Sequence, residues 1–261
     1  MKTNFEGVNI DNSFYATEYS NNFIEPKNKI INDKKNFLVI GDSQANNFYM
    51  SLVLNQNKVE NFAFNFININ EIKCIYILYF AINEKNNCQR NILNLSQINL
   101  IEKSDYIFFT KRWRDEDLNY LDSFISKIKM KGRVIISNQN VPFRVIYQKI
   151  TPLDLFIIMN KKFPNKNELE MLETKYYSYY SGNLKYKEMN KRLESIAIKH
   201  SIKFIDRTSF QCIENDTRCF VLSDKNKKLV YDIDHFTIDG AKFFGQKFIE
   251  SSDFNFFKNK N

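Results

Sequence analysis

Five short apolar runs punctuate the chain: 36–40 (NFLVI), 63–69 (AFNFINI), 105–110 (DYIFFT), 133–137 (RVIIS) and 202–205 (IKFI). Between them, residues 45–54, 115–131 and 184–200 carry apolar side chains at helical spacing, and 239–249 does so again near the end. In 115–131, Leu118, Leu121, Phe124, Ile125 and Ile128 fall on one face. Runs that are apolar throughout predict strands covered on both faces, the habit of parallel sheets. The alternation predicts an α/β fold: a three-layer α/β/α sandwich around a central, mainly parallel sheet of about five strands, with right-handed crossovers. The stretch 141–182 breaks this rhythm with Pro142, Pro152, Pro164, an apolar helical segment and Tyr176, Tyr177, Tyr179 and Tyr180. It reads as an inserted helical lid between the fourth and fifth strands. The expected organisation is an N-terminal extension, 1–35, packed on a domain of 36–261 whose insertion spans about 141–183.

Composition narrows the class. At 261 residues and 43% hydrophobic, the chain can bury a sizeable core and is not a disordered tail. Six Gly and four Pro exclude collagen-like and linker architectures. The apolar stretches 75–82 (IYILYFAI) and 153–159 (LDLFIIM) fall well short of the ~20 residues that span a bilayer. No apolar signal region is visible in the first fifteen residues. The net charge of +8 is spread along the chain, densest at 27–35 and 224–229. It reads as a solvated basic face; no nucleic-acid motif accompanies it, and no nucleic-acid partner is expected.

The chemistry concentrates at two places. In LVIGDSQA a buried strand runs into Gly41, Asp42 and Ser43 and then a helix. Open α/β sheets gather their chemistry at the carboxyl ends of strands. A Ser there has two readings: a helix cap, or a nucleophile whose neighbouring backbone N–H groups hold an oxyanion. Near the other end the chain reads LVYDIDHFTIDGAKFFGQ. Of the two His, His200 ends a helix, where a solvent-facing ring is expected, and His235 precedes a helix capped by Thr237. Asp232, three residues before His235, is near enough to accept from its Nδ1, leaving Nε2 to take a proton from Ser43. A purely structural His235 is the alternative.

These residues resemble the SGNH hydrolase superfamily, which carries an early G-D-S and a late D-x-x-H. The closer resemblance is to the SGNH domain associated with bacterial membrane O-acyltransferases that modify glycans. In that branch the third strand ends in an Arg-Trp pair, here Arg112 and Trp113, and the last motif is D-x-x-H-L-S-x-x-G-A, here Asp232, His235, Phe236, Thr237, Gly240 and Ala241. A short Cys loop usually precedes it, as Cys212 to Cys219 does here. The resemblance covers roughly residue 36 to the end, apart from the lid. It implies an SGNH/flavodoxin-like fold with Ser43 as nucleophile, His235 as base and Asp232 as the acid that orients it.

Two departures matter. Gln44 stands where many branch members have His, and no Gly lies between residues 42 and 131 to supply the superfamily's usual oxyanion donor; no G-x-N-D is present either. Ser43, Arg112 and Gln44 are the candidate oxyanion or substrate contacts. Arg112 is read either as a cationic oxyanion donor or as a structural ion pair, and Trp113 as a core residue or a sugar platform. Tyr177 and Tyr180 are read as glycan contacts or as lid tyrosines facing their own core.

Cys74, Cys88, Cys212 and Cys219 allow three pairings, and proximity favours 74–88 and 212–219. With two His and no C-x-x-C, no metal cluster is expected. Disulfides would fit the periplasmic side, as a fragment of or partner to a membrane acyltransferase; Met1 as natural start would fit the cytoplasm. The expected function is serine-dependent O-acyl, specifically O-acetyl, transfer to a glycan or polysaccharide hydroxyl. The acyl donor is a co-substrate, and no cofactor is required. The alternatives are an O-acetylesterase using the same residues and a non-catalytic glycan-binding module.

Overall fold

The structure, a computed structural model, describes residues 28–80, 88, 93–128, 131–139, 151–213, 217–232 and 234–258. Five strands form one sheet: β1 (Lys35–Gly41), β2 (Phe62–Asn68), β3 (Tyr106–Phe109), β4 (Val134–Ser137) and β5 (Lys203–Ile205). Their order is β2-β1-β3-β4-β5 and every pairing is parallel. This is the α/β fold that the apolar runs predict.

Side-chain alternation along the strands builds two cores. Phe37 and Val39 of β1, Phe64 and Phe66 of β2 and Phe108 of β3 point to one. There they meet α1 (Ser43–Val53), α8 (Thr208–Gln211), α9 (Ile238–Glu250) and α10 (Ser252–Lys258) through Phe48, Phe210, Phe244, Phe248, Phe254 and Phe257. Leu38 and Ile40, with Ile107, Phe109 and Ile136, point to the other. That face is covered by α2 (Ile72–Tyr79), α3 (Leu95–Lys103), α4 (Asp115–Lys127) and α7 (Leu184–His200). The expected α4 stripe is present, with Leu118, Leu121, Phe124, Ile125 and Ile128 all buried. The helix ends sooner than expected, because Ile128 turns extended at ψ 132°.

The part of the insertion within the described residues, 151–183, holds α5 (Pro152–Asn160) and α6 (Lys166–Ser181). Leu153, Ile157, Leu172 and Tyr176 join the same buried cluster as Leu229, Val230 and Phe236. The helices therefore pack as part of the domain beside the C-terminal loop. Residues 141–150, and residues 1–27 of the expected extension, lie outside the described residues. The described part of the extension follows the β2 edge, with the Lys29 N–H on Asn65 Oδ1 at 2.9 Å. No helix among the described residues is long and apolar enough to cross a membrane.

Candidate active site

A parallel sheet delivers all its strand exits to one edge, and the site is assembled there. β1 leaves the sheet at Gly41, whose φ is +152° and whose missing Cβ would sit 1.9 Å from the Thr110 carbonyl. No other residue fits both conditions. Asp42 then caps α1, one carboxylate oxygen accepting from the Gln44 N–H at 3.0 Å. The other oxygen accepts from the Arg112 N–H, also at 3.0 Å, and so joins the exit of β1 to the exit of β3. Ser43 is the first residue of α1. Its backbone N–H, one of those a helix leaves unused, meets no acceptor among the described residues.

The C-terminal loop is folded on itself. Val230 and Phe236 form an antiparallel bridge, and the Tyr231 N–H donates to the His235 carbonyl at 2.8 Å. Thr237 caps α9 through the Gly240 N–H at 2.9 Å, as its place in the sequence predicts, and its hydroxyl also donates to the Lys228 carbonyl at 2.6 Å. A Cβ on Gly240 would lie 1.7 Å from the Leu229 carbonyl, so this close return of the chain requires glycine.

The two motifs, 192 residues apart, meet. His235 Nε2 lies 2.9 Å from Ser43 Oγ, and His235 Nδ1 lies 2.9 and 2.8 Å from the two carboxylate oxygens of Asp232. The Asp234 and His235 N–H groups donate to Asp232 Oδ1 at 2.8 and 2.9 Å. Burial raises the Asp232 pKa, but the hydrogen bond and charge of His235 and the two N–H donors outweigh it, leaving the carboxyl below its ordinary value. An ionised Asp232 fixes the proton on Nδ1 and leaves Nε2 as an acceptor for the serine hydroxyl. The His235 side chain is 17% exposed and that of Asp232 36%, so the arrangement opens to the surface.

Of the two readings of Arg112, the structure displays the ion pair, its guanidinium on the Asp234 carboxylate. Burial pushes the Asp234 carboxyl above its ordinary value against the pull of Arg112 and His235. Gln44, read as a possible substrate contact, is 1% exposed, so its side chain offers a substrate almost no surface. Trp113 is buried, its Nε1 donating to the Ser137 carbonyl at 2.7 Å, the core reading of that residue. Tyr177 and Tyr180 pack against the core. The Tyr180 hydroxyl accepts from Asn138 at 3.2 Å and Asn190 at 2.6 Å. His200 corrects its expectation: it is nearly buried, its Nε2 2.7 Å from Asp122 Oδ1, because α7 lies against α4 and brings the ring onto that carboxylate. Cys74–Cys88 and Cys212–Cys219 are disulfides, the pairing that proximity favours.

Three contributors escaped the sequence reading. Lys111, buried, donates to the Asn70 carbonyl at 2.8 Å and to Asp117 at 2.5 Å, tying the loop after β2 to the start of α4. Arg207, fully buried, donates to Thr110 Oγ1 at 2.9 Å and lies 5.3 Å from the Phe48 ring centroid. Burial draws its pKa down to about 9 against the opposing charge of Asp42. Asp234 is the third, its only sequence signal being its place inside the D-x-x-H.

Solved structures resemble this one, among them the following two. The periplasmic domain of a lipopolysaccharide acetyltransferase from Salmonella ser. Paratyphi A aligns with a TM-score of 0.51 and 20% identity, over 84% of each chain. A GDSL-like lipase from Bacteroides thetaiotaomicron VPI-5482 aligns at 0.44 and 10% identity, over 89% of this chain and 93% of the other. The first speaks for a shared fold; the second is too distant to carry an argument. No curated protein matches the chain. Residues 14–250 match the SGNH domain of the kind fused to AT3 domains, a span that includes the inserted helices and both halves of the site. The chain belongs to that SGNH family.

Proposed function

We propose that the protein transfers an O-acyl group, specifically acetyl, to a carbohydrate hydroxyl through a Ser43 ester. The observation that carries this reading is the line from Ser43 Oγ to His235 Nε2 at 2.9 Å and from Nδ1 to Asp232. Ser43 Oγ attacks the acyl carbonyl of the donor while His235 Nε2 takes its proton. The tetrahedral oxyanion collapses, the donor's leaving group takes that proton from His235, and the acyl group remains on Ser43. The acceptor hydroxyl then attacks the ester, gives its proton to His235, and Ser43 Oγ recovers it as the acylated sugar departs.

The Ser43 N–H is one oxyanion donor. For the second we propose the Glu71 N–H. The Ile69 N–H on the Gly41 carbonyl, at 2.8 Å, carries the loop after β2 alongside the serine turn. Lys111 holds the Asn70 carbonyl on the buried side at 2.8 Å. A planar trans peptide then turns the Glu71 N–H the other way. Two preorganised donors replace the missing glycine motif without needing a glycine, because the group that donates is backbone.

Family membership supports a membrane partner: related SGNH domains are fused to AT3 domains, and the Salmonella relative is the periplasmic domain of an acetyltransferase. Such a partner would deliver the acyl group from the membrane side. The 17% exposure of His235 favours a second reading, hydrolysis, because water can reach the ester when no acceptor covers it. A chromogenic acetyl ester tests the chemistry and added oligosaccharide tests the partition. Ser43→Ala is expected to lower turnover by about 10⁴–10⁶ with the fold intact. Acetylated sugar forming in wild type at the expense of acetate marks the transferase. Ser43-independent turnover refutes the reading.

A further inference from the structure

The contacts around the site close into a ring. Asp42 spends one carboxylate oxygen on the Gln44 N–H and the other on the Arg112 N–H, each at 3.0 Å. The Arg112 guanidinium pairs with the Asp234 carboxylate. The Asp234 N–H donates to Asp232 at 2.8 Å, Asp232 holds His235, and His235 returns to Ser43, the residue after Asp42. Besides the Ser43–His235 hydrogen bond, contacts from elsewhere in the domain end on Asp234: the Arg112 ion pair on its carboxylate and the Asn47 amide on its carbonyl at 3.4 Å. The second is long, so the ion pair is the firmer tie.

The two partners are unequal. The Arg112 side chain is 55% exposed, while that of Asp234 is 11% exposed. A pair wholly in water contributes little, but a carboxylate this enclosed depends on its cation, and without it the loop must move or take up a proton. Arg112 is itself registered to the serine turn by its backbone N–H on Asp42. Its guanidinium therefore transmits the position of the β1 and β3 exits to the loop that carries the imidazole.

We infer that Arg112 is a positioning residue. Its ion pair with Asp234 latches the Asp232–His235 loop in register with Ser43, and its guanidinium is not an oxyanion donor. The inference rests on the Ser43 reading for its kinetic consequences, though not for its structural one.

The test is a double-mutant cycle on a small chromogenic acetyl ester, with Arg112→Gln, Asp234→Asn, the double variant and Arg112→Lys, each checked for folding by its melting temperature. The latch predicts that each neutralising change lowers kcat by roughly 10–100-fold with KM moving less than about threefold, as misplacement of catalytic groups does. It predicts a double variant no worse than the poorer single variant, within about threefold, and partial recovery in Arg112→Lys. An oxyanion role predicts something else: Arg112→Gln falling by about 10²–10³ while Asp234→Asn stays near wild type. That result, additive losses, or two silent single variants would each overturn the latch.

A second readout does not need turnover. Because the chain has two histidines, the Nε2 signal of His235 can be assigned by NMR against a His200→Gln control. Its shift, which reports the contact with Ser43 Oγ, should differ between wild type and Ser43→Ala, and should move to the Ser43→Ala value in Arg112→Gln and Asp234→Asn. A wild-type shift in both variants would overturn the latch even if the ester is not a substrate. A shift moved in both, in a protein with no Ser43-dependent turnover, would uphold the latch while refuting the catalytic reading.

Discussion

Replacing Asp232 by Asn isolates the role of the carboxylate from its role in holding the loop. Both backbone donors, from Asp234 and His235, lie on Asp232 Oδ1 at 2.8 and 2.9 Å. The amide oxygen of an Asn must stay there to accept them, which sends its NH2 to the place of Oδ2, 2.8 Å from His235 Nδ1. Nδ1 also lies 2.9 Å from Oδ1, but that oxygen already accepts two N–H bonds, so with an NH2 facing the ring the imidazole proton is driven to Nε2, the nitrogen that in the proposed mechanism receives the serine proton. Holding the productive tautomer then costs about 1–3 kcal/mol, the price of an unmatched donor. Losing the charge-assisted bond to the imidazolium in the transition state costs about 1.5–3 kcal/mol more. The sum, about 2.5–6 kcal/mol, corresponds to a kcat lowered by roughly 10²–10⁴. Hydrolysis of a chromogenic acetyl ester measures it, with a melting curve to show that the loop is still folded. A folded Asp232→Asn with kcat within tenfold of wild type would refute the claim that this carboxylate sets the tautomer.

Acid should act on the same residue. The folded-state pKa of Asp232 is lowered, so its stabilising contribution is present above the unfolded value, ~3.9, and is lost as pH falls through the folded one. The difference in melting temperature between wild type and Asp232→Asn should shrink as pH drops below about 4; a gap that is constant or widens contradicts the assignment. Gly41→Ala places a methyl 1.9 Å from the Thr110 carbonyl at a φ that L residues avoid, which should cost about 3 kcal/mol or more. At about 2–4 °C per kcal/mol the melting temperature falls by roughly 6–12 °C; a shift below about 2 °C would show that the turn can relax. Trp113→Phe leaves the Ser137 carbonyl without its donor and should lose about 1–3 kcal/mol of stability. KM for an oligosaccharide acceptor should not move, and a raised KM with unchanged stability would restore the sugar-platform reading.

What was legible in the sequence was what depends on neighbours along the chain. Strands β1 to β4 showed because they are buried on both faces, β5 as a short apolar run although it is only partly buried, and the α4 stripe because one face of that helix is buried. The Asp232–His235 pair showed because its geometry is set within one turn. By contrast, α2 is apolar nearly all round (IKCIYILY), so it presents no helical period and resembles an unassigned run. The contacts of Asp42 with Arg112 and of Arg112 with Asp234 span 70 and 122 residues. Nothing local marks such partners, and only the sheet order brings them together. The absence of a glycine after the second strand was readable, but what replaces it was not, since a backbone N–H of the kind proposed above is blind to the side chain beside it.

The same reasoning explains how ends so far apart hold a geometry as tight as a hydrogen bond. The serine turn is fixed by the sheet, and the histidine by α9, so the accuracy of the site depends on how firmly α9 sits on α1. That seam is aromatic and specific. Phe48 stacks on Phe108 of β3 at 4.4 Å and meets Phe248 of α9 at 5.1 Å, while Asn55 bonds to both the Ser51 and Lys242 carbonyls at 2.8 and 3.0 Å. One ring thus touches the strand that leads to Arg112 and the helix that follows His235. Packing fixes the distance between the two loops, and the Asp42–Arg112–Asp234 chain fixes their register across it. Neither suffices alone: the seam fixes α1 against α9 but not the loop that precedes α9, and a surface-facing ion pair is too weak to assemble the domain. Together they hold an imidazole within reach of an alcohol before any substrate arrives, which is the preorganisation that acyl transfer requires.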